Sequence, residues 1–441
     1  MLKLRIPRLT AAAMMRRAAL AYLIVWVLSP PLAAGSIWRV FAVMAMLLWL
    51  ALDTLSPRSV VLRPNWPVLG TMVFGMYTAF IEFLVPDAAT INLQFPIWIM
   101  LFFLFVGESQ RRANGNDSQF CFWVVMLILP IWSFATLRGL STISGDVART
   151  MSRASEETEK LAAQGIGGYG YIYTVVLCVP FLAQLALRNR NEWWIGRRKW
   201  TRRLGRTLIW INFLLAFLLV LRAGYTIALI LSAFSILSVV MIRSRRTLPF
   251  AISVVFVCSM VVLAGIALKP ALRGMEGMVV GTEYASKVRD VRALLEEDQS
   301  TGSVEGRAER YGRSIRVFVE NPVIGSLSFD DVGKHSAIMD RFAQYGIGFG
   351  LLFMALLVHL PIRVMRSSGA PVGLALGFLI VAIGFPMLNT VFMSWGLILY
   401  VFSRGAMTLM GVSMDRSGRM REEEQRERHA KTGPAPRKPP R

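Results

Sequence analysis

Of the three histidines in the 441 residues, His359 sits in an apolar run and His429 in a basic terminal stretch, which leaves His335 in a polar segment. A neutral imidazole can take a proton from a hydroxyl near pH 7, since the ordinary histidine pKa is about 6.5. His335 is therefore the candidate general base. Arg222 is the second unusual residue, because residues 209–240 carry no other charge. An arginine inside an apolar span costs about 2.5–3.5 kcal/mol, so it either snorkels to the span's end or meets an anion in a wet cavity. A guanidinium fork is well matched to phosphate oxygens, which makes a phosphate-bearing lipid the sharper reading. Arg310, Arg313 and Arg316 follow in a charged stretch, the last two spaced to share a helix face.

Other patterns carry less chemistry. Gly165-Ile-Gly167-Gly168-Tyr169-Gly170 matches a dinucleotide fingerprint by letter, but it follows a polar loop rather than a strand. Gly346, Gly348 and Gly350 fit close helix packing better than a phosphate loop. Asp330-Asp331 lacks the further ligands of a metal site and is expected to be solvated, so no metal and no cofactor are expected. Cys121, Cys178 and Cys258 all lie in apolar segments and are expected to pack.

The elements that must position these residues are membrane spans. The chain is 55% hydrophobic and only 17% charged, with a mean hydropathy of +0.51, which excludes an ordinary soluble protein. Apolar runs define twelve expected spans, starting near Ala18, Ile37, Trp66, Ile91, Phe120, Tyr169, Thr207, Gly224, Leu248, Phe342, Pro371 and Val391. The expected fold is an all-α integral membrane protein. Residues 1–268 hold spans one to nine with a short outward loop at 137–168. Residues 269–341 form a long helical outward loop, 342–411 hold the last three spans, and 412–441 form a disordered basic tail. Within the long loop, helices are expected at 284–297 and 308–319, separated by the Ser/Gly-rich turn of 299–303.

The net charge of +22 would suggest nucleic acid in a soluble chain. In a membrane protein the basic residues set orientation instead, and no nucleic acid is expected. With the N-terminus inside, 32 of the 49 Lys and Arg face the cytoplasm and 17 face out, 11 of those in the single segment 269–341. Long loops largely escape the charge rule, so the bias is strong and both termini are expected in the cytoplasm. The first span resembles a signal peptide ending at Leu32-Ala33-Ala34, and is expected to be retained.

A larger pattern unites the candidates. Gly306-Arg307 precedes Tyr311 by four residues and Asn321-Pro322-Val323-Ile324-Gly325 by about fifteen; His335-Ser336 follows, and then Gln344-Tyr345-Gly346 at the start of a span. This resembles the signature of the O-antigen ligase and polymerase superfamily, and Leu221-Arg222-Ala223 resembles its Ser-Arg-Gly at the outer end of a mid-chain span. The chain departs from that pattern at Ser336, Gln344 and Leu221, where the family favours Asn, Glu and Ser. The resemblance implies a glycosyltransferase of the bacterial cytoplasmic membrane that acts on its periplasmic side. Its donor would be a glycan on undecaprenyl pyrophosphate and its acceptor a sugar hydroxyl. Arg222 and Arg307 would neutralise the pyrophosphate, Arg310, Arg313 and Tyr311 would line the substrate site, and His335 would be the base, without metal or cofactor.

Polymerisation of repeat units is the expected activity, with transfer of polymer to a lipid A core as the alternative. A chain-length regulator or flippase is an expected partner. A lipid-linked glycan transporter is the rival from another class, disfavoured by how few charges, chiefly Glu82 and Arg222, lie within spans. Orientation is testable first. A phosphatase reporter active only in the periplasm should be active when fused after Glu297 and silent after Gly196; the reverse pattern would invert every site above.

Overall fold

The computed structural model describes residues 11–84, 88–112, 116–143, 156–187, 199–242, 305–367 and 370–412, together with Val147 and Met151. Among these residues all regular structure is helical. In chain order the helices are α1 (Ala11–Leu28), α2 (Pro30–Ala34), α3 (Ser36–Thr54), α4 (Trp66–Leu84), α5 (Ala88–Arg112), α6 (Asn116–Thr142) and α7 (Glu156–Ala163). They continue with α8 (Tyr169–Ala186), α9 (Lys199–Ala223), α10 (Thr226–Met241), α11 (Glu305–Glu320), α12 (Ala337–Arg366) and α13 (Val372–Leu388). The last, α14, runs from Met393–Gly396 through a wide π turn at Leu397–Phe402 to Ser403–Leu409.

Among the described residues seven helices, α1, α3, α4, α6, α8, α9 and α12, are long and apolar enough to cross a membrane, while α10 and α13 are apolar but shorter. The chain is thus an all-α protein built for a membrane. Eleven of the expected spans fall on helices; the ninth, near Leu248, and the expected helix at 284–297 lie outside the described residues. The arrangement is layered around α8, whose span is 83% buried. By contrast α3 is 22% buried and presents Ile37, Val40, Phe41, Met44, Leu47 and Leu48 outward, as a helix facing lipid does. Packing between α10 and α13 depends on small residues. A Cβ on Gly373 would come 2.2 Å from the Ser238 carbonyl oxygen, so only glycine allows this approach.

The short helix α13 also serves as a ruler. At its start the Gly373 amide donates to the Ile242 carbonyl (3.2 Å), and at its end the Leu388 carbonyl accepts from the Tyr311 hydroxyl (2.9 Å). Ile242 and Tyr311 therefore sit at opposite ends of a helix about 25 Å long. At the Ile242 end a buried ionic cluster joins distant elements. Glu108 of α5 accepts from Asn65 and Arg111 on one oxygen and from Arg363 (2.8 Å) and Arg404 (3.3 Å) on the other. Asp53 accepts from Ser59, Val60 and Ser109, and Arg16 and Arg17 both reach Asp117. A carboxylate taken out of water needs such a density of donors to offset its lost hydration.

At the opposite end, α12 starts at Ala337, five residues before the expected span. Ser336 caps it, its hydroxyl accepting from the Met339 amide at 3.1 Å. The helix is broken at Gly346, whose φ is +69°. The break frees groups that would have bonded to each other. The Ala343 and Gln344 carbonyls accept instead from Ser326 (3.0 Å) and Leu327 (2.9 Å), and the Ile347 amide donates to the Pro322 carbonyl (2.8 Å). Gly325, at φ +80°, stands in the matching position on the loop. A Cβ on Gly325 would meet the Gln344 carbonyl, and one on Gly346 the Val323 carbonyl, each within 2.3 Å. The two glycines interlock, and each satisfies a left-handed backbone at the same time. Gly346→Ala is expected to destabilise the purified protein by more than about 1–3 kcal/mol, because a clash adds to the strain of the left-handed residue. Gly348→Ala, with open space around it, should melt like wild type. Equal melting temperatures for the two variants would remove the interlock.

Candidate functional site

The candidate residues come together where α11 lies over the end of α13. Helix α11 carries one charged face outward and turns Val317 and Phe318 onto a small apolar cluster of Phe329, Val332 and Ala343. That cluster folds the loop 321–336 back along the helix. Arg313 then secures it, donating from Nε to the Asp331 carbonyl and from Nη2 to the Asp330 carbonyl, both at 2.9 Å. The guanidinium expected to line the substrate site is thus engaged in holding the loop. Asp330, for its part, pairs with Lys334 at 2.6 Å.

Ser314 is the buried pin of this assembly. Its hydroxyl donates to Asp340 Oδ1 (2.6 Å) and accepts from the Gly333 amide (2.9 Å). Asp340 Oδ2 accepts from the Ser336 amide (3.1 Å), so one carboxylate fixes both sides of His335. Gly333 lies so close to α11 that a Cβ would be 2.0 Å from the Arg310 carbonyl oxygen. The next residue, Lys334, has φ +60°, a conformation that non-glycine residues seldom adopt and that is held here by its surroundings.

This loop geometry brings His335 against Arg310. Arg310 Nη1 lies 3.0 Å from His335 Nε2 and 3.4 Å from Nδ1, and His335 Nδ1 lies 3.0 Å from the Lys334 carbonyl oxygen. A carbonyl can only accept, so Nδ1 carries the proton. In the neutral ring that leaves Nε2 bare and holding the lone pair. The ring is then in the tautomer a general base needs, with the guanidinium lying across it and the Nε2 lone pair directed elsewhere. Arg310 is exposed and His335 half-buried, so both can meet a ligand from the aqueous side.

The base and its loop are docked on the membrane helices through main-chain groups at the end of α13. Tyr311 donates to the Leu388 carbonyl, the Ala337 amide to the Asn389 carbonyl (3.0 Å), and the Ser336 hydroxyl to the Pro386 carbonyl (3.3 Å). Tyr311, expected as a substrate contact, is thus also an anchor. Asn389 continues the chain of contacts, its Oδ1 accepting from the Tyr169 hydroxyl at 2.8 Å. Tyr169 packs on Tyr225 with ring centres 4.9 Å apart. Arg222 is half-buried in the last turn of α9, three residues before Tyr225, where Gly224 turns the chain at φ +59°. Arg222 and the His335 loop accordingly stand on the same end of the bundle, linked through Tyr225, Tyr169 and Asn389. Position 307 lies in the first turn of α11, one turn before Arg310 and Tyr311, and the Arg307 side chain is outside the described residues.

Sequence reasoning missed Ser314, Asp340, Asn389 and Tyr169. Asp340 and Asn389 were detectable as polar residues beside apolar runs. Ser314 gives no such signal, since its importance depends on what packs over it. No family model, characterised protein or solved structure matches this chain. Ser314→Ala should leave the Gly333 amide unpaired in a buried position and take a donor from Asp340, for a loss of about 1–3 kcal/mol. A lowered melting temperature of the purified protein is the expected result; an unchanged one would show that loop 333–336 does not depend on this pin.

Proposed function

We propose that this protein is a membrane glycosyltransferase that joins glycan repeat units carried on undecaprenyl pyrophosphate into a surface or secreted polysaccharide. The observation that carries the reading is the built pair of His335 and Arg310, 3.0 Å apart, on a loop docked at the same end of the bundle as Arg222. The resemblance described above supplies the substrate class. The departure at Ser336 is chemically small, because serine and asparagine are both good helix N-caps and Ser336 performs that task.

In the proposed reaction the acceptor sugar's hydroxyl oxygen attacks the anomeric carbon of the donor glycan. His335 Nε2 takes the hydroxyl proton. The bond between the anomeric carbon and the phosphate oxygen breaks, and undecaprenyl pyrophosphate leaves with the electron pair. A single displacement of this kind inverts the anomeric centre and requires no nucleophile on the protein. Pyrophosphate is already a capable leaving group, so the protein mainly has to neutralise its growing charge. Arg222 from the membrane side and Arg307 from the loop helix are assigned that role, since arginine forks bind phosphate oxygens in pairs and gain strength in a partly dry site. In this reading the twelve expected spans put the His335 end of the bundle in the periplasm, with both termini in the cytoplasm.

Activity measured on purified protein with lipid-linked donor tests the assignment. Arg222→Lys and Arg307→Lys should each lose most of the transfer while the protein still accumulates, because a point charge cannot replace the fork. His335→Ala should retain donor binding and transfer roughly 10²- to 10⁴-fold more slowly. Near-normal transfer by His335→Ala would remove the base from the mechanism. In cells, loss of the gene should leave single repeat units where polymer is normally found. Intact polymer stranded on its lipid carrier would point instead to a ligase.

A further inference from the structure

The segment that joins α11 to α12, expected to lie wholly outside the membrane, has an apolar edge. Ile315 and Val319, one turn apart on α11, are both exposed, and Val323 and Ile324 follow in the next turn. Val319, Val323 and Ile324 are 69%, 73% and 63% exposed. A single exposed valine means little, but a run of them needs a partner. The turn is ordered, with the Gly325 amide donating to the Asn321 carbonyl at 3.0 Å. It also sits against a span, since the Ile347 amide donates to the Pro322 carbonyl. Ile347 and Leu351, one turn apart on α12, are exposed and apolar themselves. Apolar exposure on the loop thus adjoins apolar exposure on the span.

Helix α4 measures how deep that junction lies. It pairs antiparallel with α12 through Trp66 and His359, Phe74 and Phe353, and Tyr77 and Phe349, with ring centres 5.6, 5.5 and 3.5 Å apart. From Tyr77, α4 runs on to Phe83, about 9 Å further, and stays apolar there, with Phe80 and Phe83 exposed. Ile347 lies only about 3 Å beyond Phe349 in the same direction. The Pro322 carbonyl, 2.8 Å from the Ile347 amide, is therefore roughly 6 Å short of the level of Phe83, within the apolar length of the span. We propose that the turn 321–325 and the adjoining end of α11 dip into the leaflet on the His335 side, with Val319, Val323 and Ile324 among the acyl chains. Main-chain bonds from Ser326, Leu327 and Ile347 across to the partner segment suit that setting, where water cannot supply them. Arg316 and Glu320, exposed in the neighbouring row of α11, stay among the headgroups, as charges do on helices that lie in the interface. The proposal requires only that the chain is embedded in a membrane and stands apart from the transferase reading. Joined to that reading, it holds the His335 loop at the lipid surface, where the phosphates of a lipid-linked donor must lie.

Bimane attached to single cysteines of the full chain, reconstituted in lipid nanodiscs, reads this depth. Cys121 and Cys178 are buried, and Cys258→Ala removes the third native thiol. Labels at Val323→Cys and Ile324→Cys should be quenched by phospholipid brominated on its acyl chains and little by iodide in the buffer. Asp330→Cys, exposed on the same loop, should show the reverse, and Leu351→Cys marks the lipid-facing limit. All four substitutions replace exposed side chains, so the unlabelled variants should melt like the parent. The ratio of lipid quenching to iodide quenching at 323 and 324 should exceed that at 330 several-fold. A ratio at either position no higher than at 330 puts the turn in water and overturns the proposal. A label that neither quencher reaches overturns it too, because the apolar edge is then covered by protein, either a second copy or residues 243–304 of the same chain. If brominated lipid fails to reach even the label at Leu351→Cys, the assignment of α12 as a span fails and the proposal with it.

Discussion

The structure depends most on how the C-terminal end of one short helix is satisfied. The last carbonyls of any helix have no partner within it, and at the edge of a membrane they cannot all rely on water. At the end of α13 the Pro386, Leu388 and Asn389 carbonyls accept from Ser336, Tyr311 and the Ala337 amide. Those three donors belong to the segment that carries Arg310 and His335. The same contacts that complete α13 therefore dock the chemically equipped loop, which explains why a polar loop keeps a defined position over an apolar bundle.

A similar exchange operates where α12 breaks. Gly346 takes the backbone out of helix, and the freed carbonyls of Ala343 and Gln344 receive amides of the 321–328 loop. Backbone groups lost to one element are recovered by another, so the break costs little in hydrogen bonds and adds a rigid attachment. The loop is thus joined to the membrane helices at both α12 and α13. Between these attachments, Ser314 and Asp340 fix the few residues on either side of His335.

The two ends of the bundle use charge differently. Around Glu108 and Asp53 the carboxylates are buried and several cations converge on them, an arrangement that ties α1, α3, α5, α12 and α14 together and leaves little charge available. Around His335 most charged groups reach the surface, with Arg310 exposed and Arg222 half-buried. Accessible guanidinium groups on one end suit an anionic ligand, as the proposed transfer from a pyrophosphate lipid requires.

Much of the architecture was legible in the sequence because hydrophobic length is a local property. Apolar runs located eleven helices, and the helix expected at 308–319 appears at 305–320. Start points were less legible: α12 begins at a serine cap in a polar stretch that hydropathy counts as loop. The residue types suited to the chemistry, His335, Arg310 and Arg222, were also visible, since a lone histidine or arginine is conspicuous in such a chain. Their roles were decided by tertiary contacts. Arg310 and Arg313 look equivalent in sequence, yet one faces an imidazole and the other holds two carbonyls, because the 321–336 loop folds back over one side of α11. Gly325 and Gly346 likewise stand in separate motifs of the sequence, and only their meeting across 21 positions of chain makes them a lock. Sequence alone determined which segments are apolar and which groups can do chemistry. The pairing of distant backbone and side-chain groups decided which of them are free to do it, since that depends on donors and acceptors brought together by the fold and not on neighbours along the chain.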